Sequence, residues 1–214
     1  MDEIITKLDK QKISQYLSPY SPDENRTNYT FAELLGDHSL NPQMQMPKSE
    51  TEFQKAAVLV PILNKSEPTI LFTLRASHLK KHSGQIAFPG GRREKNETAL
   101  EAALRESFEE IGLPSTLVSP AGYLDYYLSG TCYMIIPVVG IIDSAFHPEP
   151  NPDEVAQTFE VPLYYFQDIS RFEKHTRIFQ GKKRSFYAIS YQSYYIWGVT
   201  AGILYNFCQR MTSS

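Results

Sequence analysis

Residues 90–113 read GGRREKNETALEAALRESFEEIGL, and this stretch decides the fold. Thr98 followed three residues later by Glu101 forms a capping-box start for a helix over 98–111. Gly112, just past Ile111, supplies the left-handed residue that ends one. At helical spacing Leu100, Ala103, Leu104, Ser107, Phe108 and Ile111 share one arc, predicted to face a core. The other side carries Glu101, Arg105, Glu106, Glu109 and Glu110. Three of those acids crowd the C-terminal half, where the helix dipole favours cations by about 0.3–1 kcal/mol per charge. Glu106 and Glu110 are also i,i+4 neighbours and repel as bare carboxylates. Either this is a solvated acidic face or the carboxylates share a hard divalent cation such as Mg²⁺, which takes oxygen ligands and substrate phosphates.

The pattern around the acids favours the second alternative. Gly91, five residues, Glu97, seven residues and then Arg105-Glu106-Ser107-Phe108-Glu109-Glu110-Ile111-Gly112-Leu113 resembles the Nudix box, G-x5-E-x7-R-E-U-x-E-E-x-G-U with U a bulky apolar residue. Eight of its nine specified positions match; Ser107 stands where U is expected, so packing there should be weaker while no ligand is lost. The resemblance implies a hydrolase of nucleoside diphosphates linked to another group. It implies an α+β fold, an α/β/α sandwich around a mixed sheet. By position, Glu106 and Glu110 would bind Mg²⁺ or Mn²⁺, with Glu109 a third ligand or the base. Arg105 and Glu97 would orient the carboxylates. The chemistry is coherent: cations neutralise a pyrophosphate, activate water and hold the leaving oxygen, so no nucleophilic Ser or Cys is required.

Immediately upstream, Leu71-Phe72-Thr73-Leu74-Arg75, six residues, then His82-Ser83-Gly84-Gln85-Ile86-Ala87-Phe88-Pro89-Gly90-Gly91 is similar to the LLTxR…HxGQ-hydrophobic-AFPGG signature of the coenzyme A pyrophosphatase branch. Phe72 replaces one leucine of that pattern. This resemblance extends over about residues 57–204 and implies coenzyme A or its derivatives as the small-molecule substrate. Arg75, Arg92, Gly90, Gly91 and His82 are the expected substrate-binding residues. Glycines there permit close backbone approach to phosphate. Arg75, Lys80, Lys81, Arg92 and Arg93 add cations for the pyrophosphate and the separate 3′-phosphate, although Lys80 and Lys81 read equally well as a solvated loop. Packing explains Gln85 and Phe88 as well as ligand contact does. Glu154, in the turn 151–154, is either a capping acid or the late-loop carboxylate that such enzymes add as ligand or base.

Outward from this region, residues 56–63 and 69–75 predict an antiparallel hairpin turning at Glu67-Pro68. Strands are expected at 121–128 and 133–142, a short helix after the 151–154 turn, short apolar segments at 161–166, 176–179 and 185–189, and a helix over 197–211. Lys182-Lys183-Arg184 reads as a hairpin tip, or alternatively as a 3′-phosphate or RNA contact. Trp197 and Tyr187, Tyr191, Tyr194 and Tyr195 are expected mainly in core and sheet faces, with adenine stacking the alternative. His78 and His82 stand at i,i+4 without a third soft ligand, so zinc is not expected.

Residues 1–50 differ in character. A helix is expected over 1–17, then a Pro- and Asn-punctuated loop with a helical piece at 31–35: an N-terminal extension, followed by the hydrolase domain at 51–214. The 214 residues, 42% apolar and 13% aromatic, exclude a disordered chain. A net charge of −3 gives no pull of the whole molecule toward nucleic acid or an anionic membrane. Neither a signal peptide nor a span-length apolar run is visible, and Cys132 and Cys208 read as two small buried hydrophobes in a reducing compartment. The expectation is a cytoplasmic protein with neither nucleic-acid nor membrane partners. Its oligomeric state is left open, a homodimer included.

Overall fold

The computed structural model describes residues 13–23, 35–47, 49–79, 84–179 and 181–212. In chain order the elements are β1 (Leu35–Gly36), α1 (Asp37–Leu40), β2 (Gln54–Leu63), β3 (Thr69–Arg75), β4 (Ile86–Ala87), β5 (Gly90–Arg92), α2 (Ala99–Ile111), β6 (Val118–Tyr123), β7 (Tyr127–Leu128), β8 (Tyr133–Ile142), β9 (Val155–Pro162), α3 (Leu163–Gln167), β10 (Glu173–Phe179), β11 (Lys182–Tyr191), β12 (Tyr194–Trp197) and α4 (Val199–Thr212).

The first nine strands form one mixed sheet. At its centre β2 and β8 run parallel in unbroken register from Gln54↔Tyr133 to Leu63↔Ile142. The free edge of β2 is shared: Ala56–Val58 pairs with β5, and Ile62 and Leu63 pair with β3 in the expected hairpin. The outer edge of β8 is likewise divided between β7 and β6. Pro61 and Pro137 fall where these strands change partners, positions at which a central strand tolerates a residue with no N–H to donate. Beyond β3 lie β4 and β9.

Both faces of this sheet are apolar, as a sheet covered on each side requires. Ala57, Leu59 and Leu63 of β2 pack with Ala99, Ala102, Ala103 and Ile111 of α2. The alternate residues Ala56, Val60 and Ile62 pack with Ala201, Leu204, Phe207 and Cys208 of α4. The result is the expected α/β/α sandwich of an α+β protein. A second, three-stranded antiparallel sheet, β10-β11-β12, stands beside it; its β10–β11 hairpin was expected, and its third strand was not.

Several expectations are corrected. The span 121–128 is two strands, because the ladder shifts register between Pro120 and Gly122 and stops at Tyr123. The turn at 151–154 leads into β9, not a helix; its alternating burial is that of a strand hydrogen-bonded to β3. Trp197 ends β12, and the last helix starts after Gly198, which has φ +68°. Leu35 pairs with Tyr127 as strand, while residues 31–34 and most of the expected first helix lie outside the described residues. Cys132 is exposed and Cys208 buried. No helix among the described residues is long and apolar enough to cross a membrane.

The described part of the N-terminal segment is tied to this framework. Ile13 and Leu17 are buried in the α4-side core. Ser18 exchanges backbone hydrogen bonds with Tyr123 at 3.0 and 2.9 Å. Asp37 accepts from the Tyr127 hydroxyl at 2.8 Å and the Gly130 N–H at 2.7 Å. Asn41 exchanges a pair of hydrogen bonds with the Ser185 backbone at 2.8 and 2.7 Å.

Candidate active site

Helix α2 has the caps its sequence specifies. Thr98 accepts from the Glu101 N–H while Glu101 reaches back to the Thr98 N–H, and Gly112 closes the helix at φ +67°. Its buried face is rotated from the expected arc. Ala99, Ala102, Ala103, Ser107, Glu110 and Ile111 are buried, Leu100 and Leu104 only partly so, and Phe108 is 61% exposed. Small residues bring the helix axis close to the strands, and that closeness carries Glu106 and Glu110 onto β5. Ser107 does not leave an orphaned hydroxyl, since it donates to the Ala103 carbonyl at 2.6 Å.

Glu110 therefore leaves the solvated side on which the spacing placed it. It is 3% exposed. Its Oε1 stands 3.5 Å from a terminal nitrogen of Arg75 at the end of β3. The Gly90 backbone N–H also donates to its carboxylate. Its Oε2 and the Nε of Arg75 are buried with no hydrogen-bond partner. Burial pushes the Glu110 carboxyl up to about 8; Arg75 and the Gly90 N–H oppose this, while Glu106 and Glu154 add to it. Burial likewise raises Glu106 against the pull of Arg105, with Glu109 and Glu154 pushing further.

The β5 glycines make room for these carboxylates. A Cβ on Gly91 would overlap the Glu106 carboxylate. Gly90 has φ +154°, and a Cβ there would come within 2.6 Å of the Val58 Cα. Bulk at either position would push β5 away from β2 or from α2.

Arg105 links the acids. Its Nε and one terminal nitrogen fork onto Glu97 at 2.8 and 3.2 Å. The other terminal nitrogen donates to Glu106 at 2.9 Å and Glu109 at 3.2 Å, while the one on Glu97 also donates to the Arg92 carbonyl at 3.0 Å. These bonds hold the guanidinium charged, and they pull the Glu97 carboxyl below the usual range. Glu154 comes from the 151–154 turn, which is fastened to α2 by an Asn151 N–H donating to the Glu110 carbonyl at 2.9 Å, and to β3 by an Ala76 N–H donating to the Glu154 carbonyl at 2.9 Å.

The structure thus gathers Glu97, Arg105, Glu106, Glu109, Glu110, Glu154, Arg75, Gly90 and Gly91. Arg92 has an exposed side chain, and its carbonyl accepts from Arg105. His82, Lys80 and Lys81 lie outside the described residues. Arg93 is not a free cation: it pairs with Asp23 and donates twice to the Glu97 carbonyl. Asp23 was missed entirely, since no local pattern around it points to β5. Phe88 is core, stacked on Phe72 at 5.3 Å, and Tyr194 stacks on Phe159 at 3.6 Å. Lys182–Arg184 does stand beside a hairpin tip, Phe179 pairing with Lys182. An open groove of about 800 Å³ follows the outer side of α2, lined by Glu97, Leu104, Arg105, Phe108 and Pro114 among others, and Glu106 and Glu110 do not line it.

Among the described residues no three His, Cys, Asp or Glu side chains are grouped tightly enough to hold a metal ion by themselves. The donors nevertheless fit Mg²⁺ or Mn²⁺. They are all carboxylate oxygens, one of them buried without a partner. Mg²⁺ keeps several waters and takes one or two carboxylates together with substrate phosphates, not a complete protein cage.

The NUDIX domain family matches residues 53–179. The Nudix hydrolases NudL of Yersinia pestis (strain Pestoides F) and Yersinia pseudotuberculosis serotype O:1b (strain IP 31758) are each 38% identical to the chain over 160 residues, covering 74% of this chain and 80% of theirs. Among solved structures, the Nudix hydrolase RenU of M. smegmatis aligns over 51% of this chain and 71% of its own with TM-score 0.43 and 24% identity. The MutT protein of Methanosarcina mazei Go1 aligns over 55% and 83% with TM-score 0.43 and 21% identity.

Proposed function

The chain belongs to the NUDIX domain family, and on that premise we propose that it hydrolyses the pyrophosphate of coenzyme A or its derivatives, giving 4′-phosphopantetheine and adenosine 3′,5′-bisphosphate. The hydrolase names of its relatives support the reaction class. One observation carries the reading: Arg75 and Gly90, from the upstream signature, both bear on Glu110 of the acidic helix, so the two signatures meet on one carboxylate.

In this reading Glu106 and Glu110 hold Mg²⁺ or Mn²⁺, with Glu109 as a further ligand or the general base. When bound, the ion neutralises phosphate charge and activates water. Arg105 fixes Glu106 and Glu109 in one orientation, and Glu97 fixes Arg105. Glu154 adds a carboxylate from the opposite loop, as base or ligand. Arg75 offsets the negative charge on Glu110 and has a donor left for a phosphate oxygen. The backbone of Gly90 and Gly91 permits close approach, and His82 and Arg92 complete the proposed substrate contacts.

The test is a kinetic panel with Mg²⁺. Coenzyme A should show a higher kcat/KM than ADP-ribose. It should exceed dephospho-coenzyme A by roughly tenfold to a hundredfold, the contribution of a charge-assisted contact to the 3′-phosphate. Faster ADP-ribose hydrolysis would assign another nucleotide pyrophosphatase activity; hydrolysis of none of them would refute the enzyme reading.

A further inference from the structure

We propose that Asp23, thirty residues before the start of the family match, is a positioning residue for the carboxylates of α2. The inference rests on the metal-dependent hydrolase reading but not on which substrate is cleaved.

A continuous series of charged hydrogen bonds carries it. The Asp23 carboxylate, 17% exposed, pairs with Arg93, accepts from the Tyr126 hydroxyl and lies 3.6 Å from the Lys55 ammonium. Arg93 is 13% exposed and turns its other edge to Glu97, whose backbone carbonyl accepts from Nε at 3.1 Å and from a terminal nitrogen at 2.7 Å. The Glu97 side chain accepts from the Glu94 N–H at 2.8 Å and from the fork of Arg105. Arg105 then reaches Glu106 and Glu109. Asp23 is three residues removed from Glu106 along this line.

Charge explains why the far end matters. Two guanidinium groups, Arg93 and Arg105, both act on the one Glu97 carboxylate. Asp23 supplies Arg93 with an acid of its own, so the Glu97 carboxylate remains with Arg105. Without that acid, Arg93 is a largely buried cation lacking its partner, a costly arrangement that pulls it toward the Glu97 carboxylate, on which its charge already acts. Sharing Glu97 between two arginines loosens the fork on Arg105, and Glu106 loses a fixed neighbour. Anchoring of the N-terminal segment does not need Asp23, because Ile13, Leu17 and the Ser18–Tyr123 bridge already secure it.

The test combines Asp23→Asn, Arg93→Met, the double variant and the milder Tyr126→Phe, each in the full chain. Mn²⁺ binding to protein without substrate is read by electron paramagnetic resonance of the free ion, alongside melting temperature, kcat and KM. Asp23→Asn should weaken Mn²⁺ binding and lower kcat by about tenfold each, the lower end of what outer partners of a metal ligand set contribute, with KM little changed. Tyr126→Phe should move the same quantities less. In the Arg93→Met background Asp23→Asn should have no further effect. Wild-type Mn²⁺ affinity and kcat in a merely less stable Asp23→Asn would overturn the proposal, as would losses that multiply in the double variant. A wild type that binds Mn²⁺ but cleaves no coenzyme A would refute the substrate while leaving this inference measurable. A wild type that binds no Mn²⁺ would refute both.

Discussion

Replacing Glu110 by Gln separates a buried cation ligand from an ordinary surface acid. Burial, chiefly, raises the Glu110 carboxyl from 4.5 to about 8. A carboxyl whose folded pKa lies above its unfolded one holds its proton more tightly in the folded chain. Its stabilising contribution is complete below about 4.5 and is lost as pH rises through about 8. The gap corresponds to at most roughly 5 kcal/mol at about 1.36 kcal/mol per pH unit. A neutral Gln escapes that penalty, which already includes the attraction of Arg75; relaxation and water penetration around the ionised carboxylate reduce the gain to the order of 2–4 kcal/mol in alkaline solution. For a chain of this size that is roughly 5–15 °C in melting temperature. Thermal unfolding in EDTA at about pH 5 and about pH 8.5 measures it: Glu110→Gln should match wild type at the lower pH and exceed it at the higher. Equal shifts at both, or a variant less stable than wild type at the higher pH, would refute the buried-carboxylate reasoning.

Three further outcomes follow from the same geometry. Glu106→Gln should stay folded, with a melting temperature within a few degrees of wild type, and lose at least about a hundredfold in kcat at saturating Mg²⁺; near-normal turnover would remove Glu106 from the ligand set. Mg²⁺ should raise the melting temperature of wild type by binding only the folded state, and Glu110→Ala should shrink that rise, whereas an equal response would return the acids to a solvated face. Gly91→Ala places a Cβ into the Glu106 carboxylate, so it should weaken Mn²⁺ binding and lower kcat together while retaining a cooperative melt; unchanged Mn²⁺ affinity would show that Glu106 does not need the space.

Sequence pattern was most informative where local rules act. The Thr98 and Gly112 caps bound α2 to the residue, and the Glu67-Pro68 turn foretold the β2–β3 hairpin. Spacing misjudged the face of α2 because large apolar side chains were taken as the core markers. A helix lying close on a sheet buries its small residues instead: Ala103 and Ser107 go inward as expected, Ala99 and Ala102 join them, and Phe108 faces out. That rotation also buries Glu110, which no local rule could foretell, since it depends on how near α2 comes to β5. Of the β10–β12 sheet only the hairpin beside Lys182–Arg184 was legible, because its first strand is largely exposed and has no clean apolar alternation. Asp23 was out of reach for another reason. Its partners Lys55, Arg93 and Tyr126 lie 32 to 103 residues away, and a single acid in a proline-rich segment carries no sign of that pairing.

The most direct test of the account is hydrolysis of coenzyme A in ¹⁸O-water with Mg²⁺, followed by mass spectrometry of the products from wild type and Glu106→Gln. Attack of water on a pyrophosphate phosphorus predicts 4′-phosphopantetheine and adenosine 3′,5′-bisphosphate, with one ¹⁸O on the phosphate of one product. The thiol and amides should be unlabelled, and the reaction should vanish in EDTA and in Glu106→Gln. Cleavage elsewhere in the molecule, or labelled products formed equally by Glu106→Gln, would contradict it.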